Sequence, residues 1–182
     1  MVYHKSHIKL NFPAFLNTIS FASRTLPIVI LYVTEGCNLK CISCSYREAL
    51  PNEFTFGEIK TLAEQLNNFG LKHIVFSGGE PLLRRDFKQI CELFVNNKKT
   101  LLTNGLLLEK KSDDFQNTFD EIIVSIDGAN AETHNKIRGI ISFDIILKGI
   151  KKTLQTNLKQ NISIRTVIQK NNFSELPAFI EL

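Results

Sequence analysis

Two hydrophobic periods take turns along this chain. After Pro27 the run Ile28-Val29-Ile30-Leu31-Tyr32-Val33-Thr34 is apolar on both faces, the pattern of a parallel strand covered from two sides. Thr55 then opens a helical repeat with Ile59, Leu62, Ala63 and Leu66 on one face, and Gly70 closes it. A second apolar stretch, His73-Ile74-Val75-Phe76-Ser77, stops at Gly78-Gly79. The beat continues with a helix over about 85–96, placing Phe87, Ile90, Cys91 and Phe94 inward, a strand at Thr100-Leu101-Leu102-Thr103 and a turn at Asn104-Gly105. A short helix over about 113–119, a strand over 121–126, a turn at Asp127-Gly128, a longer helix over about 143–156 and a fifth strand over 162–168 complete the series.

Strands alternating with helices at this interval require right-handed crossovers, and hence an α/β fold with a parallel sheet or barrel. Ser174-Glu175-Leu176 opens another helix, and the chain stops at Leu182 before that helix leads to a sixth strand. The expected organisation is an N-terminal helical extension over 1–26, with Phe12, Phe15, Leu16 and Ile19 at helical spacing, followed by one domain over 27–182. That domain reads as incomplete at its C-terminal end, with an open edge on its fifth strand.

Composition narrows the setting. With 182 residues, 43% hydrophobic and 22% charged, the chain has enough apolar side chains for one core. The net charge of +4 comes from scattered lysines with only short doublets such as Lys98-Lys99, so neither a nucleic-acid partner nor a membrane span is expected. Asn11, Pro13, Asn17 and Ser20 interrupt what a secretion signal would need. Four cysteines, three of them between positions 37 and 44, do not form the spread framework of a disulfide-rich secreted fold, and a reducing cytoplasm is expected.

The chemistry concentrates in Cys37-Asn38-Leu39-Lys40-Cys41-Ile42-Ser43-Cys44, directly after the first strand, where barrels and doubly wound folds carry their active loops. Three soft thiolates in one loop suit an iron-sulfur cubane and leave one of its irons open. Zinc is the competing ligand, with Cys91 or His73 as a fourth donor, but neither has a partner at the spacing of a second zinc knuckle. A redox disulfide between Cys41 and Cys44 leaves Cys37 unexplained, and Cys91 reads as a small core residue.

This spacing after a strand resembles the defining motif of the radical S-adenosylmethionine (SAM) superfamily, and Gly78-Gly79-Glu80-Pro81 resembles that family's second motif. Thr103-Asn104-Gly105 and Ser125-Ile126-Asp127-Gly128 fall where members contact the ribose and carboxylate of SAM, although each is also an ordinary turn sequence. Glu132-Thr133-His134-Asn135-Lys136-Ile137-Arg138-Gly139 is similar to a segment of members that mature peptides or build cofactors and carry a SPASM-type C-terminal region.

The resemblance implies a partial (β/α)6 TIM-like barrel, truncated after the fifth strand. It implies a 4Fe-4S cluster on Cys37, Cys41 and Cys44, and SAM held by Gly78, Gly79, Glu80, Thr103, Asn104, Ser125, Asp127 and Arg138. Glu80 is expected to meet the amino group of SAM and Arg138 its carboxylate, unless Arg138 is simply solvated. The implied reaction is reductive cleavage of SAM to a 5′-deoxyadenosyl radical, which takes hydrogen from a peptide or cofactor precursor, with flavodoxin or ferredoxin as reductant. Ser43 departs from the pattern, since members commonly have an aromatic residue there against the adenine; Ile42 or Tyr46 is the expected substitute. The alternative is a non-catalytic iron-sulfur or zinc module.

Overall fold

In the computed structural model, the described residues are 25–44, 53–156 and 161–182. The expected helix over 1–26 and the Tyr46 ring lie almost wholly or wholly outside them. Five strands, β1 (Ile28–Thr34), β2 (His73–Gly78), β3 (Lys98–Thr103), β4 (Glu121–Ser125) and β5 (Asn161–Arg165), pair in sequence order and all in parallel. The α/β fold of parallel strands expected from the chain's rhythm is observed, in a single five-stranded sheet consistent with the partial barrel that the resemblance implies.

The register explains the core. Leu31, Phe76, Leu101, Ile122 and Ile162 stand side by side across all five strands and turn one apolar row toward the helices. Phe76 anchors it edge-on to Phe87 and Phe94, with ring centres 5.4 and 5.7 Å away, and Phe115 and Phe119 stack beside them. Edge-to-face pairs of this kind add about 0.5–1.5 kcal/mol each beyond area burial.

β1 departs from expectation. Leu31 and Val33 are buried, but Ile28, Ile30 and Tyr32 are more than half exposed, because their side chains point to the concave face of the sheet, which no described helix covers. A continuous apolar run therefore does not by itself mean burial on both faces.

α1 (Phe56–Asn68) starts on a capping box in which the Thr55 hydroxyl accepts from the Glu58 N–H and the Glu58 carboxylate accepts from the Thr55 N–H. α2 (Phe87–Glu92) is shorter than the expected helix over 85–96; after Leu93 the backbone tightens into three-residue turns, Phe94 to Cys91 and Asn97 to Phe94, which still bury Phe94. The helix expected over 113–119 forms earlier, as α3 (Leu108–Lys111) and a 3-10 turn at Ser112–Phe115. There Lys152 of the long α5 (Phe143–Thr156) reaches the Glu109 carbonyl and the Asp113 carboxylate. α4 (Ala131–Arg138) runs from an Asn130 cap to Gly139 at φ 73°, the left-handed stop that glycine adopts without cost. α6 (Leu176–Glu181) closes the chain, and no helix among the described residues is long and apolar enough to cross a membrane.

Candidate active site

The C-terminal ends of the strands and the loops beyond them enclose a cavity of about 350 Å³. Cys37, Cys41 and Cys44 line it together with Ser125, Asp127 and Arg138. Among the described residues no three His, Cys, Asp or Glu side chains gather closely enough to hold a single metal ion. Cys91 and His73, the other thiol and imidazole considered for zinc, do not line it. Cys91 is buried in the helix-side core, which raises its thiol pKa, and His73 bonds Thr100 at 2.8 Å.

Two backbone supports position the cysteine loop. On one side Gly79 N–H donates to the Thr34 carbonyl and Glu80 N–H to the Gly36 carbonyl, both at 2.8 Å. This crossing is why β2 ends in two glycines: a Cβ on Gly79 would lie 2.3 Å from the Gly36 carbonyl oxygen, and Gly78 sits at φ 127° with Thr34 where its Cβ would be. The close approach is made by the chain itself as well as by the cavity that both glycines line. On the other side Ile42 N–H donates to the Ile137 carbonyl at 3.0 Å, satisfying an end carbonyl of α4. Glu53 adds a brace that sequence inspection missed, its carboxylate accepting from the Thr34 hydroxyl at 2.6 Å and the Glu35 N–H at 2.8 Å.

Of the residues expected around SAM, all but Glu80 line the cavity. Glu80 is fully buried behind it. Its two oxygens accept from the Leu82 N–H, the Asn104 N–H and the Thr103 hydroxyl at 2.8–3.1 Å, so the carboxylate joins β2 to β3 and is not presented to an ammonium group. Burial pushes its pKa up to about 6 against the pull of these donors. Thr103 is correspondingly committed, donating to Glu80 and accepting from the Gly105 N–H at 3.0 Å.

Asn104 faces the cysteine loop. Its amide donates to Asn38 Oδ1 at 2.8 Å and approaches the Cys37 sulfur at 3.8 Å, while its own Oδ1 accepts from the Leu106 N–H. Burial raises the Cys37 thiol, with the Leu39 N–H and the Asn104 amide working against it.

The wall on the β4–β5 side is built on Asp127, whose carboxylate pairs with Arg138 Nη2 at 2.9 Å and accepts from the Val167 N–H at 3.0 Å. Asp127 is thereby occupied within the protein, and Arg138 is the charged group brought to the cavity, with Nη1 3.8 Å from the Cys41 sulfur. Arg138 is not the solvated helix-end arginine allowed for above, since its side chain is 13% exposed. Ser125 takes its expected place in the lining.

Sequence inspection also missed His134. The ring is fully buried; Nδ1 accepts from the Asp127 N–H at 3.3 Å and Nε2 faces the Ser142 hydroxyl at 3.1 Å. Burial, then the neighbouring Arg138 charge, lowers its pKa to about 4. Asn172 closes the same corner by donating to the Asp127 and Val167 carbonyls, and Arg165 adds a second guanidinium to the lining. His134 falls in the segment 132–139 without being marked out there, and Arg165 and Asn172 stand in no motif; the place of Arg165 at the end of β5 is the signal that could have marked it.

A parallel partial barrel with a three-cysteine loop over the strand ends defines a class, and comparison with known families identifies it: residues 31–182 match the radical SAM superfamily model, and the chain belongs to that superfamily. The family uses a 4Fe-4S cluster and S-adenosylmethionine, and the relatives matched here are enzymes. The chain is 32% identical over 175 residues to Fe-coproporphyrin III synthase of Methanosarcina barkeri, covering 90% of this chain and 42% of that protein. It is also 32% identical over 160 residues to a probable GTP 3′,8-cyclase of Methanocaldococcus jannaschii, covering 82% and 52%. The chain thus spans about half the length of these curated relatives. Among solved structures, Streptococcus suis SuiB bound to precursor peptide SuiA superposes with a TM-score of 0.76 at 17% identity, covering 93% of this chain and 39% of that one. The protein anSMEcpe with bound AdoMet and a Cp18Cys peptide superposes with a TM-score of 0.67 at 23% identity, covering 86% and 47%. These two likenesses concern the fold.

Proposed function

We propose that residues 27–182 form a radical SAM core in which Cys37, Cys41 and Cys44 hold a 4Fe-4S cluster and the strand ends hold SAM. The observation that carries this reading is the sharing of one cavity by the three thiols with Gly78, Gly79, Ser125 and Arg138. A cubane attaches its thiolates to different irons, so three thiols lining one cavity suit it. When bound, such a cluster supplies the electron that cleaves SAM reductively, and the resulting 5′-deoxyadenosyl radical abstracts hydrogen from a peptide or cofactor precursor.

The protein's own part is positional. The backbone at Gly78-Gly79 and the Ser125 side chain offer the cavity polar groups, and Arg138, held by Asp127, offers a fixed cation for a carboxylate. Glu80 acts behind these groups, accepting from Thr103 and Asn104 and so fixing the β2 and β3 ends, while Thr103 and Asn104 themselves stand in the lining that would hold SAM. The half-exposed Ile42 on the cysteine loop supplies apolar area for an adenine in place of the missing aromatic. A reductant such as flavodoxin or ferredoxin delivers the electron.

The test is anaerobic reconstitution with iron and sulfide, dithionite reduction with SAM, and detection of 5′-deoxyadenosine. Formation of 5′-deoxyadenosine by wild type, and its absence in Cys41→Ala, is the expected result. A folded sample that binds no iron overturns the proposal.

A further inference from the structure

The two walls of the cavity each direct one N–H group at a cysteine sulfur. Asn104 Nδ2 from the β3 end lies 3.8 Å from Cys37, and Arg138 Nη1 from the α4 end lies 3.8 Å from Cys41. Neither donor arrives there by chance of rotamer. Asn104 is 6% exposed and doubly fixed: its Oδ1 accepts from Leu106 N–H, and its amide donates to Asn38, the residue next to Cys37. Arg138 is turned by its Asp127 ion pair, and Asp127 is held in turn by the Val167 and His134 bonds.

We infer that Asn104 and Arg138 are positioning residues that hydrogen-bond two of the three cluster thiolates and set how readily the cluster accepts an electron. The inference rests on the cluster assignment above and deepens it. One-electron reduction adds negative charge that spreads onto the thiolate sulfurs, and an N–H dipole aimed at a sulfur stabilises the reduced form more than the oxidised one. Both donors therefore raise the reduction potential toward what a one-electron reductant can reach. Arg138 contributes the larger share because its donor is charged, although Asp127 offsets part of that charge.

The experiment is a dithionite titration of the reconstituted protein, followed by the electron paramagnetic resonance signal of the reduced cluster, with iron and sulfide content measured on each sample. Arg138→Gln and Asn104→Ala should each move the midpoint to a more negative potential at unchanged iron content, Arg138→Gln by more. Asn38→Ala, which leaves both donors in place but frees the Asn104 amide, should move it less in the same direction. It also serves as the reporter should Asn104→Ala fail to fold. Midpoints that coincide with wild type in Arg138→Gln and Asn38→Ala, with full iron load, overturn the inference and leave the cluster assignment standing. Failure of the wild-type protein to take up iron overturns the cluster assignment instead, and this inference with it.

Discussion

The two walls of the cavity both contain a buried carboxylate, and they treat it in opposite ways. On the β2–β3 side Glu80 is held, among the described residues, by N–H and O–H donors and not by an ion pair, and burial leaves its pKa near 6. On the β4–β5 side Asp127 is paired directly with Arg138 and backed by a neutral, buried His134. The first arrangement locks two strand ends together and shows nothing of itself to the cavity. The second carries a positive charge to the cavity and holds it there. A carboxylate near a binding site is thus not evidence of ligand contact until its partners are counted.

The strongest perturbation removes what both walls serve. Cys41→Ala should abolish cluster assembly, measured as loss of visible absorbance and iron content, because a methyl group cannot ligate iron. Next in size, Gly79→Ala should destabilise the protein by about 1–3 kcal/mol in thermal or urea melts and lower iron uptake. Its Cβ meets the Gly36 backbone, which has no side chain to yield.

The walls should then separate by pH. Glu80 has a folded pKa above its ordinary 4.5, so below that value both states are protonated and its contribution is fully present; it is lost as pH rises toward about 6. His134 runs the other way. Its folded value near 4 lies below its ordinary 6.5, so its contribution is present above 6.5 and is lost as pH falls toward 4, by on the order of 2–3 kcal/mol. Urea melts across this range should show His134→Asn removing the acid-side loss and Glu80→Gln removing the loss on the rising limb. Equal pH dependence in both variants and wild type breaks the comparison. Smallest of all, Cys91→Ala should leave iron content unchanged at a stability cost of about 1 kcal/mol, since that thiol packs in the helix-side core.

How much was legible depended on the range of the interaction that decides each feature. α5 appears over the span its periodicity indicates, and each of the five strands overlaps its apolar run, because both signals are local, although β5 spans Asn161–Arg165 and not 162–168. α2 and α3 were misjudged because their lengths are set by Phe94 and Lys152 reaching other elements. The exposed half of β1 was misjudged because a β strand's two faces have equal periodicity whether or not something covers the second. Glu80 lies buried although its neighbours Gly78 and Gly79 line the cavity, and that placement depends on donors from Thr103 and Asn104, which are distant in the sequence.

What the sequence by itself determined is the strand–helix rhythm, the family, and the three thiols in one loop, since each is encoded within a few consecutive residues. Which polar side chains face that loop was decided by tertiary structure alone. Asn38 and Asn104, or Asp127 and Val167, meet only after parallel strands set their ends in register, and the direction of a hydrogen bond across such a gap is written in no single segment.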